Sequence, residues 1–301
     1  MPPSSLVRLA LHGGAGPYTG DRKPERAALR QIAVEGADML ERGASAVDVV
    51  TEVVGLLEEC HLFNAGVGAV LNRVGEPELE AAVMDGHNRR CGAVSCVQRT
   101  LSPVRLARAV MEAGEHVMLA GSGADAFAAQ AGLAQVEPTY FVTSKRQHEL
   151  AETLREGTIR GSDTVGAVAR DAEGHLASAT STGGLNGKHP GRMGDTALIG
   201  CGIFADDGSL AIACSGTGES FIRSVFAMQV HARVQFSRWT LQRACGEALE
   251  RVVAYGGDGG CVAVDATGEL ALPFNSPGMF RAWRGADARI RVAVDEREPP
   301  H

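Results

Sequence analysis

Several features that would indicate other classes of protein are missing from this 301-residue chain. It contains no run of 18 apolar residues, so no membrane span is expected. Its first residues lack a basic stretch followed by an apolar run, so no secretory signal is expected. Acidic residues outnumber basic ones by 36 to 29, giving a net charge of -7. This balance argues against nucleic acid as a main partner, because phosphate-binding surfaces are usually basic.

Cysteine pairs are missing as well. The chain has seven cysteines, an odd number, and no Cys-x-x-Cys pair. A disulfide framework or a zinc site of that kind is therefore not expected, and reduced thiols in the cytoplasm are the better interpretation. The hydrophobic share of 45% and the charged share of 22% are typical of a soluble globular enzyme, and the length suffices for one large domain or two small ones.

Hydrophobic periodicity predicts an α+β fold. A short apolar strand from Val7 ends in the glycine turn that begins at His12, and we expect the His12 ring to pack beside that turn. Helices are predicted at residues 25–42, from the Ser45 cap onwards, from Ser102-Pro103 onwards, and at 219–235 and 240–254. Strands are predicted at 64–71, 80–84, 93–98, 164–170, 176–182, 198–205, 209–214, 260–265 and 269–273. Hairpins with flanking helices favour antiparallel sheets covered by helices.

Residues 134–163 differ from the rest of the chain in composition. They are polar and charged, and they lack the alternation of a strand. This composition predicts a solvated helix followed by a connector that ends at Gly161-Ser162-Asp163.

The chemically informative segment begins at Thr164, which opens an apolar strand. A single threonine there is usually structural, because threonine favours strands. Three further motifs follow in order within 60 residues: TSTGG at 180–184, GRMGD at 191–195 and SGTGE at 215–219. Related segments lie at 11–16 (LHGGAG), 62–70 (LFNAGVGAV), 83–86 (VMDG) and 273–279 (PFNSPGM).

Taken in this order, the motifs resemble the plant-type asparaginase and isoaspartyl peptidase family over nearly the whole chain. The resemblance implies an N-terminal nucleophile hydrolase fold, a four-layer αββα sandwich of two antiparallel sheets covered by helices. It also implies scission of the Asp163–Thr164 bond. The products would be an α subunit of residues 1–163 and a β subunit of residues 164–301, and two such cleaved heterodimers would form an (αβ)2 assembly.

The proposed scission would supply the catalytic base. Amide hydrolysis needs a nucleophile, a base and donors for the oxyanion. Breaking the bond before Thr164 frees an α-amine whose typical pKa, about 7.7–8.0, lies near neutral pH. That amine can accept the proton of its own hydroxyl group, so one residue supplies both nucleophile and base. No histidine and no catalytic cofactor is then required.

The resemblance also assigns roles to other residues. The hydroxyl of Thr182 is expected to bond to that of Thr164, with weaker support from Ser181. Ser215 and Gly216 are expected to form the oxyanion hole. At position 215 serine replaces the family's usual threonine, so a methyl group is missing.

Substrate binding is expected to involve four further residues. The planar guanidinium of Arg192 suits an α-carboxylate, and the carboxylate of Asp195 can accept hydrogen bonds from an α-ammonium. The two residues are therefore expected to bind the two charged groups of a zwitterion. Gly218 is expected to contact the ammonium through its carbonyl group, and Asn64 to orient the nucleophile.

The resemblance further implies a structural sodium ion. Backbone carbonyl groups would bind it, and hard cations prefer such oxygen ligands. The residues that match this loop are Leu57, Glu58, Cys60, Phe63, Ala65 and Val67.

The expected activity is hydrolysis of β-aspartyl dipeptides and L-asparagine, and alternatives remain. Isoaspartyl peptidases usually have glycine before the nucleophile, whereas Asp163 resembles the glycosylasparaginases and the taspase-like endopeptidases. Glycosylasparaginases are typically lysosomal or secreted. An endopeptidase would have no use for the ammonium-binding Asp195, because an internal aspartate carries no free amine. A non-catalytic binding relative is disfavoured by the presence of Thr164, Thr182, Arg192 and Asp195 together.

Overall fold

The structure is a computed structural model that describes residues 7–18, 22–157 and 163–295. The connector residues Gly161 and Ser162 lie outside the described residues. The strands are β1 Arg8–Gly16, β2 Leu79–Asp85, β3 Cys91–Val97, β4 Met118–Ala120, β5 Val165–Arg170, β6 Leu176–Thr182, β7 Ile203–Asp206, β8 Leu210–Gly216, β9 Gly259–Asp265, β10 Leu270–Ala271, β11 Gly278–Arg284 and β12 Ile290–Ala293. The helices are α1 Lys23–Glu41, α2 Ala46–Glu59, α3 Pro103–Ala113, α4 Gly121–Gln130, α5 Ser144–Glu156, α6 Gly218–Ser224, α7 Phe226–Gln235 and α8 Leu241–Ala254.

Two sheets form the centre of the protein. The larger has the strand order β12-β11-β1-β5-β6-β2-β3-β4, and the smaller has the order β10-β9-β8-β7. All neighbouring strands pair antiparallel except β3 and β4, which are parallel. Strands from both sides of residue 163 intermingle in the large sheet, and both predicted subunits contribute residues to each of the two hydrophobic clusters.

Helices cover the outer face of each sheet. Helices α1 to α4 pack on the large sheet, α7 and α8 pack on the small sheet, and the two sheets face each other through pairs such as β5 with β8. The result is a four-layer αββα sandwich, which confirms the fold class expected from the sequence.

The central strands are buried on both faces, which explains their continuous apolar sequence. In β5, Val165 and Ala167 point to the helix layer of the large sheet, whereas Val168 points to the space between the sheets. Because side chains alternate along a strand, Thr164 faces the space between the sheets.

Some predicted elements differ from the structure. Residues 64–71 are not a strand: their centre is a 3₁₀ turn, Gly66–Gly68, with Gly66 at a positive φ of 50°. The strand predicted at 198–205 begins only at Ile203. The helix predicted at 219–235 is interrupted at Val225, whose φ is +47°. Strands β4, β11 and β12 and helix α4 were missed.

The N-cap predicted at Ser102 is also different in detail. The hydroxyl of Ser102 makes no cap bond to helix α3. It donates instead to the carboxylate of Glu58, which also accepts the backbone N–H of Val104. A side chain from α2 therefore accepts a backbone N–H group in the first turn of α3.

All seven cysteines lie among the described residues as free thiols. Within the described part of the chain, no helix combines the length and the apolar character needed to cross a membrane.

Candidate active site

The predicted nucleophile lies at the start of β5 in the space between the sheets. Only 3% of Thr164 is exposed. Its Oγ1 lies 3.2 Å from the Oγ1 of Thr196, which is also buried. The backbone carbonyl of Thr196 in turn accepts the hydroxyl of Thr180 on β6. Two successive strands of the large sheet therefore fix the contact between Thr164 and Thr196.

The residue before the predicted nucleophile is held by a half-buried tyrosine. The hydroxyl of Tyr18 donates to Oδ1 of Asp163 at 2.7 Å, and the Tyr18 ring packs on Phe280 at 4.1 Å. Burial raises the pKa of the Asp163 carboxyl, and the Tyr18 hydrogen bond opposes that shift. Gly14, at a φ of +115°, passes so close that a Cβ there would lie 2.7 Å from Cα of Asp163. The glycine-rich end of β1 is thus shaped to admit the backbone at Asp163, beside the bond that is predicted to be cleaved.

A cavity of about 370 Å³ opens on the Asp163 side of that bond. Tyr18, Asn64 and Asp163 line it, together with the basic residues Lys145 and Arg146 and three glutamates of α5. Asp163 therefore borders a cavity whose α5 wall carries charges of both signs.

Ser215 and Gly216, the predicted oxyanion-hole residues, end strand β8 directly across from β1. The Oγ of Ser215 accepts the backbone N–H of Ala15 at 2.9 Å, which fixes the position of the hydroxyl group. Gly216 has no space for a side chain, because a Cβ there would meet Phe221 at 2.5 Å. The structure therefore places both residues beside the LHGGAG motif, on the same side of the sandwich as Thr164.

Thr182 lies on the same face and at the same end of the sheet as Thr164, because Val165 pairs with Ser181 in the β5–β6 register. Its hydroxyl accepts the N–H of Gly184 at 3.0 Å, so the contact expected with Thr164 is made by Thr196 instead. The role of Thr182 in catalysis stays a prediction.

Asn64 secures the turn that follows Thr182. Its side chain donates to the carbonyl of Gly184 and accepts the N–H of Val70, both at 2.8 Å. These bonds join Asn64 to the Gly183-Gly184 turn, and its role in orienting the nucleophile stays a prediction.

Arg192 presents a planar fork at the edge of the site. Its Nε and Nη2 donate to the two carboxylate oxygens of Glu219, each at 3.0 Å. A Cβ built on Gly218 would lie 2.9 Å from the Arg192 guanidinium and 3.1 Å from Oδ1 of Asp195. The absence of a side chain at Gly218 therefore leaves a space that both charged residues face.

Asp195 is a buried carboxylate with an unused oxygen. It is 3% exposed, and within the described residues its Oδ2 has no hydrogen-bond partner. Burial raises its pKa to about 7. Buried carboxylate oxygens normally have partners, so this one indicates a binding position for a donor that comes from outside the chain. Because Thr196 follows Asp195 directly, that position adjoins the nucleophile.

A buried ionic group beneath the site holds the Arg192–Asp195 loop. The carboxylate of Glu80 accepts the N–H of Gly194, and the Oε1 of Glu78 accepts that of Gly191. Lys188, only 1% exposed, donates to the carbonyl of Glu78 and lies 3.8 Å from Oε1 of Glu80. Charged hydrogen bonds to backbone amides are strong, so the loop is rigidly placed before any ligand arrives.

Ser181 faces the opposite side of the sheet from Thr164. Its hydroxyl donates to Oε1 of Glu58 at 2.7 Å, in the layer between the sheet and α2. Its support of the site is therefore indirect, through the position of β6.

The loop expected to bind sodium is closely packed around its glycines by backbone carbonyl groups. Those of Glu58 and Phe63 lie so close to Gly66 and Gly68 that neither glycine has room for a Cβ. The carbonyls of Leu57, Cys60 and Ala65 accept only local turn bonds of 3.0–3.3 Å. These neutral oxygens fit a hard cation.

Two residues that touch the centre of the site, Tyr18 and Thr196, were not predicted from the sequence. Tyr18 lies 145 positions from Asp163, and no local pattern marks it. Thr196 directly follows the GRMGD motif, and only the folded loop shows that it reaches Thr164.

Comparison with known proteins agrees with this geometry. A family model described as asparaginase matches residues 5–294. The isoaspartyl peptidase of Escherichia coli (strain K12) is 45% identical over 294 residues, which cover 91% of this chain and 92% of that protein. The plant-type L-asparaginase of Pyrobaculum calidifontis is 38% identical over 304 residues, 96% of this chain and 100% of that protein. The isoaspartyl peptidase/L-asparaginase of Mus musculus is 39% identical over 300 residues, 97% of this chain and 91% of that protein.

The fold and the site are therefore those of a hydrolase built on an αββα sandwich. The chain belongs to the asparaginase family, which confirms the resemblance drawn from its motifs.

Proposed function

We propose that the protein cleaves itself before Thr164 and then hydrolyses β-aspartyl dipeptides and L-asparagine, releasing L-aspartate. The observation that carries this proposal is the pair formed by Oδ1 of Asp195 and the guanidinium of Arg192, which face one small space at Gly218. Both substrate types have a free α-ammonium and a free α-carboxylate next to the side-chain carbonyl that is attacked. An endopeptidase substrate has no free ammonium at that position, so the Asp195 oxygen disfavours the taspase-like alternative.

Self-cleavage begins with attack of the Thr164 hydroxyl on the carbonyl carbon of Asp163. A C–O bond forms, the C–N bond breaks and the hydroxyl proton passes to the departing nitrogen, which gives an ester and a free Thr164 amine. Water then hydrolyses the ester. We expect the Asp163 carboxylate to move protons in this step, and the Tyr18 hydrogen bond favours that carboxylate form.

In turnover, the Thr164 amine accepts the hydroxyl proton as the oxygen attacks the substrate's side-chain carbonyl. Ser215 and the Gly216 N–H stabilise the oxyanion. Collapse expels ammonia or the dipeptide's second residue as the protonated amine, and water releases aspartate from Thr164. Throughout, Arg192 binds the α-carboxylate, in competition with Glu219, and Asp195 and the Gly218 carbonyl bind the α-ammonium.

Two further features belong to the proposal. A sodium ion on the carbonyls of residues 57–67 would stiffen the loop that ends at Asn64, with no part in the chemistry. Two cleaved heterodimers would form the working assembly, which light scattering after gel filtration measures directly.

The decisive experiment measures self-cleavage and turnover in parallel. Purified protein is incubated with β-Asp-Leu and with L-asparagine, and released leucine and ammonia are quantified. On a denaturing gel, the wild-type chain is expected to yield fragments of 163 and 138 residues (301 − 163 = 138).

The test variant is Thr164→Ala, with Thr139→Ala at an exposed position as the control. Thr164→Ala is expected to stay intact and inactive, whereas Thr139→Ala behaves as wild type. Turnover by the intact Thr164→Ala chain would remove Thr164 from its role.

A further inference from the structure

Three turns at the end of the sandwich remote from Thr164 bring together two histidines and an aspartate. His87 lies in the β2–β3 turn, His175 in the β5–β6 turn and Asp207 in the β7–β8 turn. Strand β5 separates this group from the active site, and at about 3.3 Å per residue its six residues span about 20 Å. The group therefore has no contact with the catalytic residues.

The donor atoms of the three side chains lie close together. Nδ1 of His175 lies 2.7 Å from Oδ2 of Asp207, and Nδ1 of His87 lies 3.5 Å from the same oxygen. One ligand atom from each residue falls within 4.8 Å of the others. Neighbouring ligands in a tetrahedral zinc site are about 3.3 Å apart, because Zn–N and Zn–O bonds are about 2.0–2.1 Å long. Small side-chain rotations bring the three atoms to that spacing.

The backbone beneath the group is already fixed. The N–H of Gly86 donates to the carbonyl of Leu176, and the N–H of Asp207 donates to the carbonyl of Gly86. The N–H of Leu176 donates to Oδ1 of Asp207 at 2.7 Å. This closed set of bonds holds all three turns in register, and it orients Asp207 so that Oδ2 points to the histidines.

The surroundings carry a negative charge overall. Asp85 and Asp171 accept the backbone N–H groups of His87 and His175, respectively. Asp206 faces Arg89 at 3.5 Å, and a Cβ built on Gly174, next to His175, would lie 3.1 Å from the Arg170 guanidinium. Three carboxylates besides Asp207 outnumber these two guanidinium groups, which favours a bound cation.

We propose that His87, His175 and Asp207 bind one divalent transition-metal cation of the Zn²⁺ type. Two imidazoles and one carboxylate match the preference of such ions, and water completes the coordination. The metal replaces the proton shared by His175 and Asp207, and that proton is released to solvent. Since Asp207 belongs to the small sheet and both histidines belong to the large sheet, the ion cross-links the two sheets. The simpler interpretation is a surface ion pair between His175 and Asp207, with His87 stacked beside it at 4.0 Å.

The test measures Zn²⁺ binding to tag-free, EDTA-treated protein by competition with a chromophoric chelator. One site per chain with a micromolar or lower Kd is expected. His87→Asn is expected to weaken binding at least tenfold, as is Asp207→Asn, which keeps the Oδ1 bond to Leu176. The control is His116→Asn at an exposed histidine outside the group, which should bind as wild type.

A second measurement tests the cross-link. Saturating Zn²⁺ is expected to raise the Tm of the wild type and of His116→Asn by several degrees, and that of His87→Asn by much less. Basal asparaginase activity should be equal in all three proteins. The proposal is overturned by wild-type affinity in both His87→Asn and Asp207→Asn, or by the lack of a stoichiometric site. Binding without a Tm increase would overturn the cross-linking role.

Discussion

The hydroxyl groups of Thr164 and Thr196 lie 3.2 Å apart in the space between the two sheets, where both residues are buried. Thr196 directly follows Asp195, the carboxylate that faces the proposed ammonium position. The nucleophile and the substrate-binding loop are therefore joined by one hydroxyl contact. Any shift of the loop is transmitted to the oxygen that attacks.

Removing the Thr196 hydroxyl should therefore slow both self-cleavage and turnover. A hydrogen bond to a group that develops charge is worth about 1.5–3 kcal/mol, so Thr196→Val should lower both rates roughly 10- to 100-fold. Gel densitometry gives the first rate and ammonia release from L-asparagine gives the second. Thr196→Ser keeps the hydroxyl and should recover most of the loss; a serine variant as slow as the valine variant would mean that the hydroxyl is irrelevant.

The contact between Tyr18 and Asp163 should affect self-cleavage alone. In Tyr18→Phe the carboxylate loses its hydrogen bond, so the pKa of Asp163 should rise further. If the carboxylate form moves protons, cleavage at neutral pH should slow roughly tenfold and recover at higher pH, since a bond to a charged group is worth about 1.5–3 kcal/mol.

The readout is the cleaved fraction over time at several pH values, followed by kcat of the fully cleaved enzyme. That kcat should equal the wild-type value. Tyr140→Phe, at an exposed tyrosine, serves as the control. An unchanged cleavage profile in Tyr18→Phe would exclude Asp163 ionisation from the step.

Much of the fold could be predicted because the central strands are buried on both faces and read as short apolar runs. The failure at residues 64–71 has the same origin. That run is apolar as well, but Gly66 and Gly68 pass too close to carbonyl groups for a strand, and nothing in the pattern distinguishes the two cases. Strand β11 was missed because Arg281 and Arg284 interrupt its apolar pattern, although both arginines are buried. Strand β12 has only four residues, and Arg291 interrupts it.

The motif residues could be placed in one site because the family resemblance fixes their order. Contacts between residues that lie far apart in the sequence are not marked by any motif. Glu80 and Lys188 read as ordinary surface charges in the sequence, and only the folded β2 strand shows them buried under the Arg192 loop. For the same reason, nothing in the sequence paired Glu58 with Ser181, 123 residues away.

Glu58 should make stability depend on pH. Burial raises its pKa from an ordinary value of 4.5 to about 7. Between these values the unfolded chain has lost the proton and the folded protein retains it, so the contribution of this group to stability falls as pH rises from about 4.5 to 7. The glutamine of Glu58→Gln cannot ionise. Its amide group fits the same partners if the Ser102 hydroxyl turns to accept a hydrogen bond instead of donating one.

The difference in Tm between Glu58→Gln and wild type should therefore become more positive from pH 5 to pH 8, as measured by calorimetry at each pH. Glu59→Gln, at the exposed neighbouring position, should show a constant difference. A Glu58→Gln difference that does not change with pH would mean that this carboxyl keeps an ordinary pKa.

Asp195 should make substrate binding depend on pH in a substrate-specific way. Its pKa is raised to about 7 by burial, so at pH 6 most of the free enzyme has a neutral Asp195 that offers no charge to an ammonium. As pH rises through about 7 the carboxylate forms, and KM for L-asparagine should fall. The Thr164 amine also titrates near this range, so a substrate without an ammonium is needed to separate the two groups.

Succinamate supplies that comparison, because it keeps the carboxylate and the amide of asparagine but lacks the α-amine. Its KM should vary little between pH 6 and pH 8, while kcat for both substrates follows the Thr164 amine. In Asp195→Asn, KM for L-asparagine should rise at least tenfold and lose its pH dependence, whereas KM for succinamate should change little. Parallel pH profiles of KM for the two substrates in the wild type would contradict ammonium binding at Asp195.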